Sequence, residues 1–210
     1  MKDFFSLDNP LMIFLGRLTD VIVLNVICLI CCLPIVTIGA SLTAVHYVTL
    51  KMAKNEEGYI VKSFFKSFRE NLKQSTIIWL VFLVVTVFFY FDIRIIKYGG
   101  MDIPTFVNGI IYATYFFCCI TVMYAFPLLA RFNNTVIGTI RNGFLMSIVH
   151  IFKTLLMVVI YIVPVVLIPL NYNFIAVYLM FGLAAPAFLN SFVWKSIFKK
   201  YEPKEEEEYD

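Results

Sequence analysis

Two histidines and five cysteines are the residues of this chain best suited to acid–base, metal or redox work, and their spacing argues against each use. His46 and His150 lie far apart, and neither belongs to an H-x-x-x-H pair that would set two imidazoles on one helix face. Each is read as structural or interfacial. Cys28, Cys31, Cys32, Cys118 and Cys119 all fall inside apolar stretches. Cys28-x-x-Cys31 has a redox-like spacing, but an apolar setting blunts thiol reactivity, and cysteine then acts as a small hydrophobe. No phosphate-binding glycine loop is present. No ionisable residue falls in the middle of an expected span, which argues against a proton-driven pump. The expectation is a non-enzyme with no catalytic, cofactor-binding or metal-binding residues. The intramembrane polar residues Asn25, Thr37, Ser41, Thr43, Thr114, Thr121 and Asn190 are expected to join helices by hydrogen bonds. Arg17 and Asp20, three apart at the outer end of the first span, are spaced to pair.

The elements that carry these residues follow from composition. Of 210 residues, 61% are hydrophobic and 15% charged, against about 25% charged in an ordinary soluble domain. Charge-free stretches cover 21–50, 74–91, 103–130 and 154–194. A hydrocarbon core about 30 Å thick needs roughly 20 apolar helical residues, so these are membrane spans. The last stretch holds two, divided at the turn-forming Pro169-Leu170-Asn171-Tyr172-Asn173. The fold class is therefore all-α, a polytopic helical membrane protein with about five transmembrane helices. The spans are roughly 18–38, 75–91, 104–129, 154–168 and 174–194, within a single membrane domain covering 1–200. Residues 201–210 read as an acidic cytoplasmic tail, with Glu205–Glu208 a solvated run.

Lysine and arginine set the orientation. One side carries Lys51, Lys54, Lys62, Lys66, Arg69, Lys73, Arg131, Arg141, Lys153, Lys195, Lys199, Lys200 and Lys204; the other carries Lys2, Arg17, Arg94 and Lys97. Thirteen against four is a positive-inside bias. It puts the C-terminus in the cytoplasm and, with five spans, the N-terminus outside. Leu33-Pro34 and Gly39 offer an alternative, a re-entrant pair that returns the N-terminus to the inside. One span followed by a short helix over 41–53 is preferred, because thirty uncharged residues are too few for two full spans. Residues 1–10 lack a basic signal-peptide n-region, so an uncleaved first helix is expected.

Sliding the chain by 80 residues brings Lys51 onto Arg131, Ile60 onto Ile140, Phe64 onto Phe144, Ser67 onto Ser147 and Lys73 onto Lys153. Either this is a parallel two-unit repeat followed by one C-terminal span, or two amphipathic stretches beside membrane helices simply look alike. In 59–73 a helical period gathers Ile60, Val61, Phe64, Phe65, Phe68 and Leu72 on one arc and Lys62, Lys66, Arg69 and Lys73 on the next. Such a helix suits an anionic lipid surface, a solvated extension of the second span, or a cytoplasmic protein partner. The residues expected to touch partner or lipid are Lys62, Lys66, Arg69, Lys73, Arg131, Arg141 and Lys153.

The run Leu33-Pro34-Ile35-Val36-Thr37-Ile38-Gly39-Ala40-Ser41, with Thr43-Ala44 and Tyr47-Val48-Thr49-Leu50-Lys51, carries a resemblance. So do Asp8-Asn9-Pro10, Asn55-Glu56-Glu57-Gly58-Tyr59 and Ser63-Phe64-Phe65-Lys66-Ser67-Phe68. Together they resemble the YesL family, bacterial multi-pass membrane proteins, mainly from Firmicutes, built around a domain of unknown function. The resemblance implies a bacterial cell-membrane location and a link to carbohydrate use, since such genes often neighbour sugar ABC transporters and glycoside-degrading enzymes. It supplies no catalytic residues. The chain departs from a type I ABC permease at the ATPase-docking motif, glutamate-alanine-alanine, glycine, then nine residues before isoleucine-x-leucine-proline. Glu56-Glu57-Gly58 lacks the alanines, and Gly138 and Ile148 are followed by Val149-His150-Ile151.

The expected function is an auxiliary membrane protein of carbohydrate uptake or sensing, acting through protein contacts of the basic segments 51–73 and 131–153. Its expected partners are the lipid bilayer, sugar ABC transporter components or a sensor kinase, and a second copy of itself, with no nucleic acid. The alternative is a stand-alone oligomeric small-solute transporter or channel.

Overall fold

The computed structural model describes residues 10–56, 58–98, 104–170 and 174–202. Lys2, Asp8-Asn9, Glu57, the turn residues Asn171–Asn173, and the tail from residue 203, with Lys204 and Glu205–Glu208, lie outside the described residues. Among those described there is no strand. Eight α-helices follow one another: α1 (Pro10–Cys32), α2 (Ile38–Lys54), α3 (Ile60–Tyr98), α4 (Thr105–Arg131), α5 (Val136–Val149), α6 (Ile151–Leu170), α7 (Phe174–Phe181) and α8 (Ala184–Phe198). Four helices, α1 to α4, are long and apolar enough to cross a membrane, α2 when counted with the 3-10 turn before it; the bent pairs α5–α6 and α7–α8 raise the number to six. The all-α polytopic fold is as expected.

The N-terminal third departs from the preferred reading. Pro34 ends α1, and a 3-10 turn over Ile35–Thr37 turns the chain into α2. The carbonyls stranded there are met by side chains, as an apolar medium demands. Thr37 donates to Cys31 O at 2.7 Å, Trp79 Nε1 to Ile35 O at 2.8 Å and Thr76 to Val36 O at 3.3 Å. At the other end, Arg17 donates to Met52 O at 2.8 Å and to Asn55 Oδ1 at 3.0 Å. The hairpin therefore enters and leaves by one end. Arg17 lies with the basic residues 51–54 and not opposite them. Thirty uncharged residues suffice for two helices because α1 starts at Pro10 and carries Arg17 and Asp20 within it. The expected short helix over 41–53 is α2, three residues longer at its start.

Helix α2 is the centre of the molecule. Twelve of its seventeen residues are buried, most of them Gly, Ala, Ser, Thr or Val, whose small size lets neighbouring backbones approach. It ends at Asn55, whose left-handed φ of 57° fits an αL cap, with Glu56 N donating to Lys51 O. Around it Val21, Leu24, Cys28, Val45, Val48, Phe64, Ala184 and Ala187 form one apolar cluster. Leu50, Tyr124, Leu128, Met157, Trp194 and Phe198 form a second.

Helix α3 joins the basic segment and the second span in one helix, in line with the reading of 59–73 as an extension of that span. Phe64, Ser67, Ser75 and Ile78 are buried, at the spacing of one helical face. That face packs on α2, with Phe64 in one cluster with Val45, Val48 and Met52, and Ser75 beside Gly39. Residues 80–98 then continue past the hairpin turn at Trp79, where Phe89 meets Tyr115 of α4.

The second half bends where the first runs straight. α5 starts at Thr135, whose hydroxyl accepts from Gly138 N, and α6 leaves α5 at 102°. Thr154 secures the corner, donating to Ser147 O at 3.0 Å while Tyr124 Oη sits 2.7 Å away. The expected single span 174–194 is broken by 51° at Gly182-Leu183. Asn25 holds this break, accepting from Leu183 N at 2.8 Å and Ala184 N at 2.9 Å and donating to Leu179 O at 2.8 Å.

Candidate functional site

The seven basic residues picked out as contact residues divide into groups with different surroundings. Lys62, Lys66, Arg69 and Lys73 recur at helical spacing and are all exposed along the first half of α3. Phe64 and Ser67 anchor the opposite face. The expected apolar arc is split. Ile60, Phe64 and Phe68 pack on the hairpin, while Val61, Phe65 and Leu72 remain exposed beside the lysines. The result is a rigid ridge of four cations and three hydrophobes, relieved by one exposed acid, Glu70.

Arg131 and Lys153 belong elsewhere. Arg131 Nε donates to Glu202 Oε1 at 2.8 Å, and Lys54 Nζ donates to the same oxygen at 3.0 Å. Lys153 donates to Ser196 Oγ at 2.8 Å, and Lys195 to Ala53 O at 3.0 Å. These bonds tie together the ends of α2, α4 and α8 and the start of α6. Burial alone would push the Glu202 carboxyl up, but the bonds from Lys54 and Arg131 outweigh it and hold the group below its usual value. Arg141 is exposed on α5, whose Ile137, Phe144 and Leu145 are exposed too. In the sequence Glu202 is marked only as part of an acidic tail. Its partners lie 71 and 148 residues away, and no local pattern marks them.

A polar cluster occupies the interior. His46, expected to be structural or interfacial, sits mid-helix in α2 at 6% exposure, with Nε2 3.3 Å from Tyr161 Oη. Asn190 of α8 donates to Met157 O at 3.4 Å. Among the described residues His46 Nδ1, Asn190 Oδ1 and Trp194 Nε1 are buried without hydrogen-bond partners. His150 is remote from this cluster and stands 3.2 Å from Tyr201 Oη. Of the intramembrane polar residues, Asn25 and Asn190 do join helices and Thr37 braces the hairpin turn. Ser41, Thr43, Thr114 and Thr121 instead donate to carbonyls four residues back on the chain. Cys28 and Cys32, one turn apart, have sulfurs 3.8 Å from each other. No group of three His, Cys, Asp or Glu side chains converges among the described residues in a way that would hold a metal.

These arrangements can bind and position. No curated protein and no solved structure matches the chain. Over residues 21–93, the stretch holding most of α1, the hairpin turn, α2 and most of α3, the chain is similar to the family described as "Protein of unknown function, DUF624".

Proposed function

We propose that this is an auxiliary membrane protein of carbohydrate uptake or sensing, working through protein contacts of the basic ridge on α3. The observation that carries the reading is the shape of that helix. Thirty-nine residues make a rod about 58 Å long, nearly twice the hydrocarbon thickness. Its charged half therefore lies at or beyond the membrane surface as a stiff extension of the span. Lys62, Lys66, Arg69 and Lys73 are exposed there, whereas Arg131 and Lys54 are already paired with Glu202. The contact surface thus narrows to the α3 ridge with Arg141, and Arg131 and Lys153 become structural. The carbohydrate link rests on the YesL resemblance, as does the bacterial cell membrane as location. The charge bias supports a cytoplasmic basic end.

The test is purification of the tagged protein in mild detergent from its own host, grown on plant polysaccharide, with identification of what co-purifies. A sugar permease or sensor kinase should be recovered, and lost when Lys62, Lys66 and Arg69 become glutamate. A clean homo-oligomer from both proteins would sink this reading. One observation favours a second one. Buried, unpartnered His46 Nδ1 and Asn190 Oδ1 would suit an oligomeric small-solute transporter, and flux of a sugar or sugar acid into proteoliposomes would establish it.

A further inference from the structure

The exposed side chains of 60–73 on α3 fall into two strips that run side by side. At 100° per residue, Val61, Phe65, Phe68 and Leu72 lie within about 60° of one another. Their spacing of four, three and four residues is that of a seam on which a second helix packs. Val61, Phe65 and Leu72 are exposed, and Phe68 is half-buried against the hairpin. Lys62, Lys66, Arg69 and Lys73 follow on the next arc, and all four are exposed. Among the described residues none of these cations has a hydrogen-bond or ion-pair partner. Glu70 falls beyond them, turned away from the seam. The other edge of the seam is the buried face of Phe64, Ser67 and Ser75. Charge therefore flanks the seam on one edge only.

The direction of α3 decides what can cover this surface. A helix that sets its lysines among lipid headgroups lies in the membrane plane. The charged half of α3 instead continues the axis of the span, since the helix runs unbroken from Ile60 to Tyr98. Lys66 and Lys62 stand about 12 Å and about 18 Å before Gln74, where the apolar run begins. The headgroup layer on each side is about 5–8 Å deep. Arg69 and Lys73 are within its reach; Lys62 and Lys66 are not. Resting on the reading of α3 as a partner-binding surface, we propose that the partner docks there as a helix. That helix lies along 61–72, over about three turns, with its own apolar a and d positions on the seam. Carboxylates along one of its edges face Lys62, Lys66, Arg69 and Lys73. An acidic loop would answer the charge and leave the apolar seam in water.

The probe is a helical peptide of three heptads with leucine at a and d and glutamate along one edge of that seam. A second peptide of the same composition carries its glutamates on the face opposite the leucines. Fluorescence anisotropy reads their binding to the full chain in phosphatidylcholine nanodiscs, with empty nanodiscs as the blank. The first peptide should bind, and the second about tenfold more weakly, the loss expected for several exposed ion pairs. Phe65→Ser and Lys66→Glu, both at exposed positions, should each weaken the first peptide severalfold while the melting temperature holds. Lysine in place of the glutamate that faces position 66 should restore binding to Lys66→Glu. Equal binding of the two peptides, or binding indifferent to both substitutions, overturns the proposal. Quenching of a fluorophore at Lys62→Cys by brominated lipid, in a background without the native cysteines, overturns it too, because the strip then lies in the bilayer. Recovery of a partner by co-purification without any peptide binding leaves the partner-binding reading standing and removes the helix.

Discussion

Asn25 shows how much one side chain can carry inside a bilayer. Its carbonyl takes both N–H groups freed where α7 gives way to α8, and its amide takes a carbonyl from the turn before. Asn25→Leu removes that acceptor and leaves two N–H groups with no water to turn to. It should cost about 1–3 kcal/mol, read as a lower melting temperature in detergent. Thr114→Val is the control, because Thr114 only back-bonds to Ile110 O on an exposed surface and should change little. If both variants melt alike, Asn25 does not hold the break. Glu202 acts at the opposite extreme, beyond the end of α8. Its folded carboxyl titrates below the ordinary 4.5, so the clasp on Lys54 and Arg131 is complete above that value. Its contribution is lost as pH falls through the lower folded value. The melting difference between the native protein and Glu202→Gln should therefore be greatest above about pH 5 and close in acid. A difference that grows in acid would contradict the clasp.

At the scale of elements, the contact of α2 with α3 rests on Gly39. A Cβ there would run into Ser75 O and come within 2.7 Å of Trp79 Cβ, so Gly39→Val must push the helices apart. Overpacking of this kind costs about 1–3 kcal/mol, whereas Gly109→Ala, with nothing within 4 Å, should be neutral or stabilising. Equal melting of the two variants would mean the helices do not touch at Gly39. The same elements show what the sequence makes legible. Hydropathy finds the apolar stretches because burying them in lipid needs only composition. It misplaces the boundary in α3, where charge gives way to apolar residues at Gln74 and no Gly or Pro interrupts 60–98. Polarity changes there while the backbone has no reason to break. The corner at His150 has no Gly or Pro either. It is held by Thr154 and Tyr124, thirty residues apart, and such a contact leaves no local mark. The break at Gly182 was readable from Gly182 and Pro186, but the long apolar run outweighed them. At the candidate site, the α3 ridge was legible because it is local and periodic. The Glu202 clasp and the placing of Arg17 were not, because both join residues far apart in sequence.

For the molecule as a whole, five contacts fix which ends lie together. Arg17 meets Met52 and Asn55, Lys195 meets Ala53, and Glu202 joins Lys54 to Arg131. The early turns of α1 and the C-terminal ends of α2, α4 and α8 therefore share one face. Arg94 and Lys97 stand at the far end of α3. With Arg17 moved to the basic face, the charge asymmetry is steeper than the five-span topology gave, and the prediction from the positive-inside rule is that this face is cytoplasmic. Six crossings, with each bent pair one span, put the early part of α1 and the end of α8 on the same side. Single cysteines at Ile13, Asn55, Tyr201 and Tyr98, in a background with the five native cysteines replaced, test this directly. All four positions are exposed. A membrane-impermeant maleimide added to intact cells should label Tyr98→Cys alone. The other three should react only after the membrane is opened. Labelling of Ile13→Cys from outside, with Asn55→Cys protected, would return the protein to five crossings and would break the hairpin that the rest of the bundle is built on.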